Sequence, residues 1–351
     1  MKKQSDITKM QSKLLLWYDQ EGRTLPWRVR PEDRAAGIKA DPYAVWLSEI
    51  MLQQTTVPHA KPYWRKFLEA YPTVTELANA DRDQVLAMWA GLGYYARARN
   101  LHKCAGVIRD DYAGEFPQSE AELLKLPGIG PYTAATLAAI CFDEATNIVD
   151  GNVERVISRI FRIDAPLPKA RPEYRCMAAT LAPKKRPGDY GQALMDLGAT
   201  LCTPRNPKCD LCPWQNDCAA HKGNCETDYP KKIKKVKLPV RYGAAFVLIS
   251  DEHVMLQRRP DKGLLGGMMG FPGTDWSSEL SEPLNAAPIP RNWEKCEGEV
   301  KHVFTHFELR LDVYRAEIAN RDAEGIWAPL NSIKSFALPT VMTKVLSLAQ
   351  K

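Results

Sequence analysis

The sequence predicts a mainly α-helical N-terminal domain followed by a smaller mixed α/β domain. Helical patterns run through most of the first 225 residues, whereas strand-like segments begin only after the lysine-rich stretch that ends near residue 240. A chain of 351 residues also exceeds the roughly 250 residues that one hydrophobic core usually serves. The predicted boundaries are 1–225 for the first domain, 226–240 for an exposed basic linker and 241–351 for the second domain.

The composition is that of an ordinary water-soluble globular protein, with 45% hydrophobic and 26% charged residues. No apolar run approaches the roughly 20 residues of a membrane span, and residues 1–11 lack an apolar signal segment, so we expect a cytoplasmic protein without a membrane partner. The net charge of +6 permits nucleic-acid binding but does not require it. Nine cysteines in a cytoplasmic chain favour metal or core roles over a disulfide framework.

A carboxylate stands out in the first strongly predicted helix. Asp41 followed by Pro42 is a typical helix start, and it comes after a charged, loop-like segment at 29–40. Within this helix Glu49 shares a largely apolar face with Val45 and Trp46. Burial would raise the pKa of this carboxyl group, so it could act as a general acid at neutral pH. The alternatives are a buried glutamate with a satisfied hydrogen bond and an exposed helix residue.

Two segments that follow carry polar residues suited to contacting DNA. Gln53 and Gln54 end the Glu49 helix and could probe a base stack, while residues 91–100 combine glycines, tyrosines and arginines around Tyr94. Such a segment allows close approach, wedging between bases and phosphate contacts, although core packing by Tyr94 or Tyr95 is the alternative. Arg28, in an earlier Leu-Pro-Trp-Arg turn, could contact a phosphate or a base or lie on the solvated surface.

The sequence Leu-Pro-Gly-Ile-Gly at 126–130 predicts a tight turn between two helices. Gly128 and Gly130 permit close backbone approach to a ligand, and the free N–H groups of the second helix would face a phosphate. An ordinary helix-helix corner is the alternative. About twenty residues later, Asp150 precedes a helix predicted at 152–160, where the helix dipole would favour its ionised form unless it serves only as an N-cap.

One protonated and one ionised carboxyl group form the arrangement that glycosidic bond cleavage uses. One group protonates the leaving group and the other stabilises the cationic sugar. Glu49 and Asp150 are the candidates for these two roles.

The strongest metal signal is the spacing C-x6-C-x2-C-x5-C of Cys202, Cys209, Cys212 and Cys218. Four thiolates can bind either zinc or a [4Fe–4S] cluster, and a zinc ribbon would normally show two C-x2-C pairs rather than one. Cys225 lies just outside this pattern. Strands of the second domain are predicted at 243–250, 253–257, 300–309 and 311–318.

Several motifs together resemble the MutY family of adenine DNA glycosylases, in the helix-hairpin-helix endonuclease III superfamily. The cysteine spacing matches the iron–sulfur loop of that superfamily, which favours a [4Fe–4S] cluster as cofactor. The other motifs are Leu-Ser-Glu-Ile-Met-Leu-Gln-Gln-Thr at 47–55, Gly-Leu-Gly-Tyr-Tyr-Ala-Arg-Ala-Arg-Asn-Leu at 91–101, Leu-Pro-Gly-Ile-Gly at 126–130 and Asp-Gly-Asn-Val at 150–153.

The resemblance implies removal of adenine mispaired with 8-oxoguanine or guanine in double-stranded DNA, by a monomer. It makes Glu49 the acid and Asp150 the stabilising anion, with Tyr132 and Asn152 in supporting positions. The residues expected to contact DNA are Arg28, Gln53, Gln54, Tyr94, Gly128, Gly130, Phe304, Thr305 and His306.

The C-terminal segment resembles the Nudix-like domain of the same family, which reads 8-oxoguanine. Residues 263–273 fit that fold, but the Glu-rich metal-binding helix of active Nudix hydrolases is missing from the sequence after them, so we expect binding without hydrolysis. Thr305 stands where the family's Phe-Ser-His loop has serine, which keeps a hydroxyl group at this position.

Three other functions are possible. A pyrimidine-specific glycosylase and lyase on the same fold would need a lysine amine as Schiff-base nucleophile where this chain has Tyr132. A non-enzymatic iron–sulfur DNA-binding protein would need neither Glu49 nor Asp150. A Nudix hydrolase is disfavoured by the missing acidic helix.

Overall fold

The computed structural model describes residues 3–233 and 237–351, which form two compact units. The first unit combines the described residues of Met1–Gln54 and Gly106–Lys235, and the second combines Thr55–Ala105 with the described residues of Val236–Lys351. Segment 55–105, expected with the N-terminal domain, thus groups with the C-terminal strands. The middle of the predicted linker, residues 234–236, lies outside the described residues.

Helices make up most of the first unit and part of the second. None of the helices in the described part of the chain is long and apolar enough to cross a membrane. In chain order the helices are α1 (Gln4–Glu21), α2 (Pro31–Ala35), α3 (Pro42–Leu52), α4 (Val57–Ala70), α5 (Val74–Asn79), α6 (Arg82–Met88), α7 (Ala96–Asp111), α8 (Glu120–Leu123), α9 (Pro131–Phe142), α10 (Gly151–Phe161), α11 (Arg171–Ala179), α12 (Pro187–Thr200), α13 (Ala219–Lys222) and α14 (Thr340–Ala349).

The start of α3 confirms the predicted cap. The Asp41 side chain accepts a hydrogen bond from the backbone N–H of Tyr43 at 2.9 Å, and Pro42 opens the helix. The loop predicted at 29–40 is only partly right, because it contains the short helix α2. Arg34 anchors this helix by donating from Nη2 to the carbonyl oxygen of Ile140 at 3.0 Å.

The core of the first unit brings α1, α9, α10, α11 and α12 together around buried aliphatic side chains. Trp214, from the cysteine-rich loop, is fully buried in the same core and donates from Nε1 to the carbonyl oxygen of Met10 at 2.8 Å. Helices α12 and α10 approach closely at Gly198, where an added Cβ would lie 2.7 Å from the Cβ of Asn152. This packing places the N-terminal end of α10 against α12.

The second unit contains a seven-stranded mixed sheet. Its central order is β3-β2-β1-β6-β4, with β5 paired to β6 and β7 paired to β2. Strands β1 and β6 are parallel over ten residue pairs, and α14 packs on one face of the sheet. The strands are β1 (Val240–Ser250), β2 (His253–Arg258), β3 (Met269–Gly270), β4 (Glu294–Lys295), β5 (Val300–Val303), β6 (Glu308–Glu317) and β7 (Ile326–Pro329).

The strand predicted at 300–309 is wrong in its second half. Strand β5 ends at Val303, and a tight turn follows in which the backbone N–H of Phe304 donates to the carbonyl oxygen of Phe307 at 2.9 Å. The apolar residues of this segment favour a strand, but Phe304 lies in the turn and packs its ring on Trp276. The turn therefore presents Thr305 and His306 to solvent.

Candidate active site

The centre of the candidate site is the carboxyl group of Glu49 on α3. Its residue is only 7% exposed, and the phenol of Tyr132 donates a hydrogen bond to Oε2 at 2.8 Å. Burial raises the pKa of Glu49 to about 7, and the negative charge of Asp150 adds to this rise. The Tyr132 hydrogen bond and the positive charge of Arg28 act in the opposite direction without cancelling it. Glu49 can therefore hold a proton at neutral pH.

Tyr132 lies in the first turn of α9, directly after the glycine turn. Burial raises its pKa well above the ordinary value, and the neighbouring Glu49 and Asp150 add to this shift. The phenol therefore keeps its proton and donates it in the hydrogen bond to Glu49. Its oxygen also lies 3.2 Å from the sulfur of Met195 on α12. Tyr132 thus fixes the orientation of the carboxyl group from one side.

Asp150 is the N-cap of α10, as one of the two interpretations of the sequence predicts. Oδ1 accepts from the backbone N–H of Val153 at 2.7 Å, and Oδ2 accepts from Nδ2 of Asn152 at 2.9 Å. A carboxylate that accepts two hydrogen bonds is held in one orientation. The cap function does not exclude a second function, because the charge of Asp150 is also felt at Glu49.

Asn152 continues a chain of hydrogen bonds toward the cysteine-rich loop. Its Oδ1 accepts from Nη2 of Arg155 at 2.9 Å, and the same nitrogen donates to the carbonyl oxygen of Gly198 at 2.6 Å. Nε of Arg155 donates to the carbonyl oxygen of Cys202 at 2.7 Å. The orientation of Asp150 is thereby tied to the backbone of a predicted metal ligand. Sequence reasoning missed Arg155, since its partners lie on a distant part of the chain.

Arg28 is not on the solvated surface. Its side chain is only 6% exposed, and Nη1 donates to Oδ2 of Asp196 at 2.8 Å. Sequence reasoning missed Asp196 as well, although an aspartate within the apolar stretch of α12 carries the same signal that identified Glu49. The structure thus brings Arg28, Glu49 and Asp196 into the same buried region of the first unit, together with Tyr132 and Asp150.

The glycine turn has the predicted geometry. Gly128 adopts a φ of +77°, a conformation that favours glycine, and Gly130 is the N-cap of α9. Both glycines are exposed, and an added Cβ on Gly130 would meet no atom within 4 Å. The N-terminus of α9 is therefore open to a ligand such as a phosphate.

The other residues that the sequence predicts to contact DNA lie on turns. Gln53 caps the end of α3, and the exposed Gln54 follows it with a φ of +59°. In the second unit Tyr94 is 52% exposed, and its hydroxyl oxygen lies 3.4 Å from Oγ1 of Thr305. The core-packing alternative is therefore wrong for Tyr94 but right for the buried Tyr95, and the structure brings Tyr94 to the turn of Phe304, Thr305 and His306.

The four predicted metal ligands line one cavity. Cys202, Cys209, Cys212 and Cys218 all contribute to its wall, whereas Cys225 does not. Burial raises the pKa of the Cys212 thiol to about 12, so this sulfur ionises readily only beside a cation. The buried Arg159 donates from Nη1 to the sulfur of Cys202 at 3.2 Å. Four convergent thiols with a guanidinium donor fit an iron–sulfur cluster.

A second donor set shares one of these cysteines. The ligand atoms of Cys209, His221 and Glu226 lie within 4.8 Å of one another, and Nδ1 of His221 is 2.5 Å from Oε1 of Glu226. The hydrogen bond occupies both groups, and Cys209 belongs to the four-thiol cavity. We therefore assign the site to the four cysteines.

Three family models match the chain. The model of the HhH-GPD superfamily of base excision DNA repair proteins matches residues 47–176, and that of the iron–sulfur binding domain of endonuclease III matches 202–218. A NUDIX domain model matches 244–348. Among curated proteins, human adenine DNA glycosylase is 32% identical over 99% of this chain and 75% of the human protein. The chain belongs to the adenine DNA glycosylase family.

Other relatives support the same conclusion. An adenine DNA glycosylase of Buchnera aphidicola from Schizaphis graminum is 33% identical over 95% of this chain and 97% of that protein. Among solved structures, a thermostable thymine-DNA glycosylase is 28% identical, with a TM-score of 0.55 over 62% of this chain and 98% of that one. A non-covalent endonuclease III–DNA complex, 21% identical with a TM-score of 0.52 over 64% of this chain and 99% of that one, shows the shared fold.

The chain is accordingly an adenine DNA glycosylase, a hydrolase of N-glycosidic bonds in base excision repair, and it binds DNA and a [4Fe–4S] cluster. The predicted fold class is confirmed: a helical helix-hairpin-helix domain precedes a Nudix-like domain. Within the described residues no α-helix lies between β3 and β4, where only a short 3-10 turn at Pro283–Ala286 occurs.

Changing Cys212 to serine tests the assignment of the cluster. We expect purified Cys212→Ser protein to lose most of its iron and its broad visible absorption, because three thiolates hold the cluster poorly. Cys176→Ser is the matched control, since Cys176 is exposed and outside the cavity, and it should keep the brown colour. Colourless wild-type protein with one zinc per chain would contradict the assignment.

Proposed function

We propose that the enzyme removes adenine mispaired with 8-oxoguanine or guanine, and that it hydrolyses the glycosidic bond without lyase activity. The observation that supports this best is the buried Glu49 carboxyl group, which has a pKa of about 7 beside the hydrogen-bonded Asp150. Glycosidic cleavage uses one carboxyl group as the acid and a second as the stabilising anion, and we assign these roles to Glu49 and Asp150. We further propose that the chain acts as a monomer, with a cytoplasmic and DNA-associated location.

Glu49 is the general acid in this proposal. The bond between C1′ and the base breaks with its electron pair moving to the base, and adenine is a poor leaving group unless a proton reaches it. Glu49 supplies that proton, and Tyr132 holds the carboxyl group toward the base by its hydrogen bond. Water then supplies the hydroxyl group at C1′, and its released proton returns to the Glu49 carboxylate, which restores the acid. Because hydrolysis transfers no electrons, the cluster contributes no redox step to the reaction.

Asp150 stabilises the positive charge that develops on the sugar. Asn152 orients it by donating to Oδ2, and Arg155 in turn orients Asn152. A carboxylate fixed before the substrate binds needs no reorientation as the charge develops. Arg28 contacts the base beside Glu49 in this proposal, which its burial and its influence on Glu49 support over a phosphate contact on the surface.

The exposed residues supply the DNA contacts. Gly128 and Gly130 open the N-terminus of α9 to a phosphate, and Gln53 and Gln54 probe the duplex. Tyr94 acts as a wedge beside the hydroxyl of Thr305. Phe304, Thr305 and His306 form the turn that reads 8-oxoguanine, and the Nudix-like domain binds without hydrolysing because it has no acidic helix after β3.

Single-turnover cleavage of a set of duplexes tests the proposed substrate. With enzyme in excess, we expect excision of adenine opposite 8-oxoguanine and, more slowly, opposite guanine. Adenine opposite thymine is the control and should be left intact. Cleavage only of a duplex that carries an oxidised pyrimidine would contradict the proposal and favour an endonuclease III-like activity.

Glu49→Gln tests the general acid. The amide keeps the shape of the side chain but cannot supply a proton, so excision should fall by about 10² to 10⁴ or more while duplex binding stays nearly intact. Glu21→Gln, at an exposed glutamate in the same unit, is the control and should retain full activity. A Glu49→Gln rate above about a tenth of wild type, equivalent to about 1.4 kcal/mol of barrier, would remove Glu49 from this role.

Tyr132→Lys tests the absence of lyase chemistry. A lysine amine at this position, beside Glu49, could attack C1′ once the base has left, and the resulting imine could be trapped by borohydride. The variant should therefore form a covalent protein–DNA adduct, which the wild-type enzyme should not form efficiently. Its excision rate should fall, because a cation near Asp150 weakens stabilisation of the sugar. Equal trapping by both proteins would show that another amine acts as nucleophile.

A further inference from the structure

Asp196 on α12 is a fully buried carboxylate with no part in the chemistry described above. Its side chain is 0% exposed, and its two oxygens hold the loop that follows α1. Oδ2 accepts from the backbone N–H of Arg23 and from Nη1 of Arg28, both at 2.8 Å. Oδ1 accepts from Nε of Arg23 at 2.6 Å. Three hydrogen bonds from one loop converge on this single carboxylate.

The ion pair between Arg28 and Asp196 also affects the pKa of Glu49, because of where Arg28 lies. The Arg28 guanidinium is close enough to Glu49 to oppose the rise in its pKa. A buried and unpaired cation there would favour the ionised carboxylate strongly, because charges interact more strongly in the protein interior than in water. Asp196 supplies the compensating negative charge directly on the guanidinium.

We propose that Asp196 is a positioning residue, which holds the buried Arg28 guanidinium in place through their hydrogen bond and neutralises its charge near Glu49. This inference rests on the proposed role of Glu49 as the general acid. The other groups that act on Glu49 are Tyr132 from α9 and Asp150 at the start of α10, and Cys141 at the end of α9 also senses its charge.

Asp196→Asn tests the inference through the pH dependence of excision. The amide carries no charge, so Arg28 is left uncompensated and the pKa of Glu49 falls. The protonated fraction of Glu49 decreases as pH rises through its pKa, so excision in the wild-type enzyme should decline above about pH 7. In Asp196→Asn this decline should begin about one pH unit lower, which makes the enzyme about tenfold slower on the alkaline side.

Asp189→Asn is the matched control. Asp189 lies on the same helix, is 1% exposed and pairs with Arg186 at 2.8 Å and Arg34 at 3.6 Å, but not with Arg28. It reproduces the loss of a buried charge from α12 without changing the charge of Arg28. Its pH profile should therefore keep the wild-type midpoint, whatever its effect on stability.

The double variant Arg28→Gln/Asp196→Asn should not show the downward shift in the midpoint of the pH profile. It removes the buried Arg28 guanidinium together with its partner carboxylate, so it remains informative even where the single variant fails to fold. Its excision should be slower overall, but the midpoint should return to the wild-type value or above it. A midpoint in Asp196→Asn equal to wild type, or a midpoint in the double variant below wild type, would overturn the role of Asp196. An active Glu49→Gln enzyme would instead overturn the proposed function.

Discussion

The withdrawal of the Glu49 carboxyl group from water is the constraint on which the rest of the site depends. Burial raises the pKa of Glu49 and the charge of Asp150 adds to this rise, whereas Tyr132 and Arg28 oppose it. Tyr132 donates to the carboxyl group, which favours its ionised form but fixes its direction. Arg28 also favours the ionised form, and its ion pair with Asp196 limits this effect. The site thus combines groups that we propose to recognise the base with a Glu49 carboxyl group that keeps its proton.

The same constraint explains the arrangement of α10 and α12. In the proposed mechanism Asp150 acts together with Glu49, and its hydrogen bonds at the N-terminus of α10 fix its orientation. The chain of hydrogen bonds through Asn152 and Arg155 ends at the carbonyl oxygen of Cys202. We propose that a cluster held by Cys202 supports the orientation of Asp150, which gives it a structural rather than a redox role in the proposed hydrolysis.

The sequence predicted those features that depend on residues close together in the chain. The cap at Asp41, the glycine turn at 128–130 and the cysteine spacing each depend on residues close together in the chain. The pairing of Arg28 with Asp196 spans 168 positions and leaves no such pattern. For the same reason the sequence left Arg28 open between a phosphate or base contact and the solvated surface. The apolar residues around Phe304 predict a strand, but in the structure the Phe304 ring packs on Trp276.

The central claim is that Glu49 holds a proton near neutral pH in the folded enzyme. Infrared difference spectroscopy of wild type against Glu49→Gln, recorded across a pH series, would follow the carbonyl stretch of this one protonated carboxyl group. We expect the band to be present at pH 6 and to disappear with a midpoint near pH 7. A group already ionised at pH 6, with the midpoint of an exposed glutamate near about 4.3, would contradict the assignment of Glu49 as the acid.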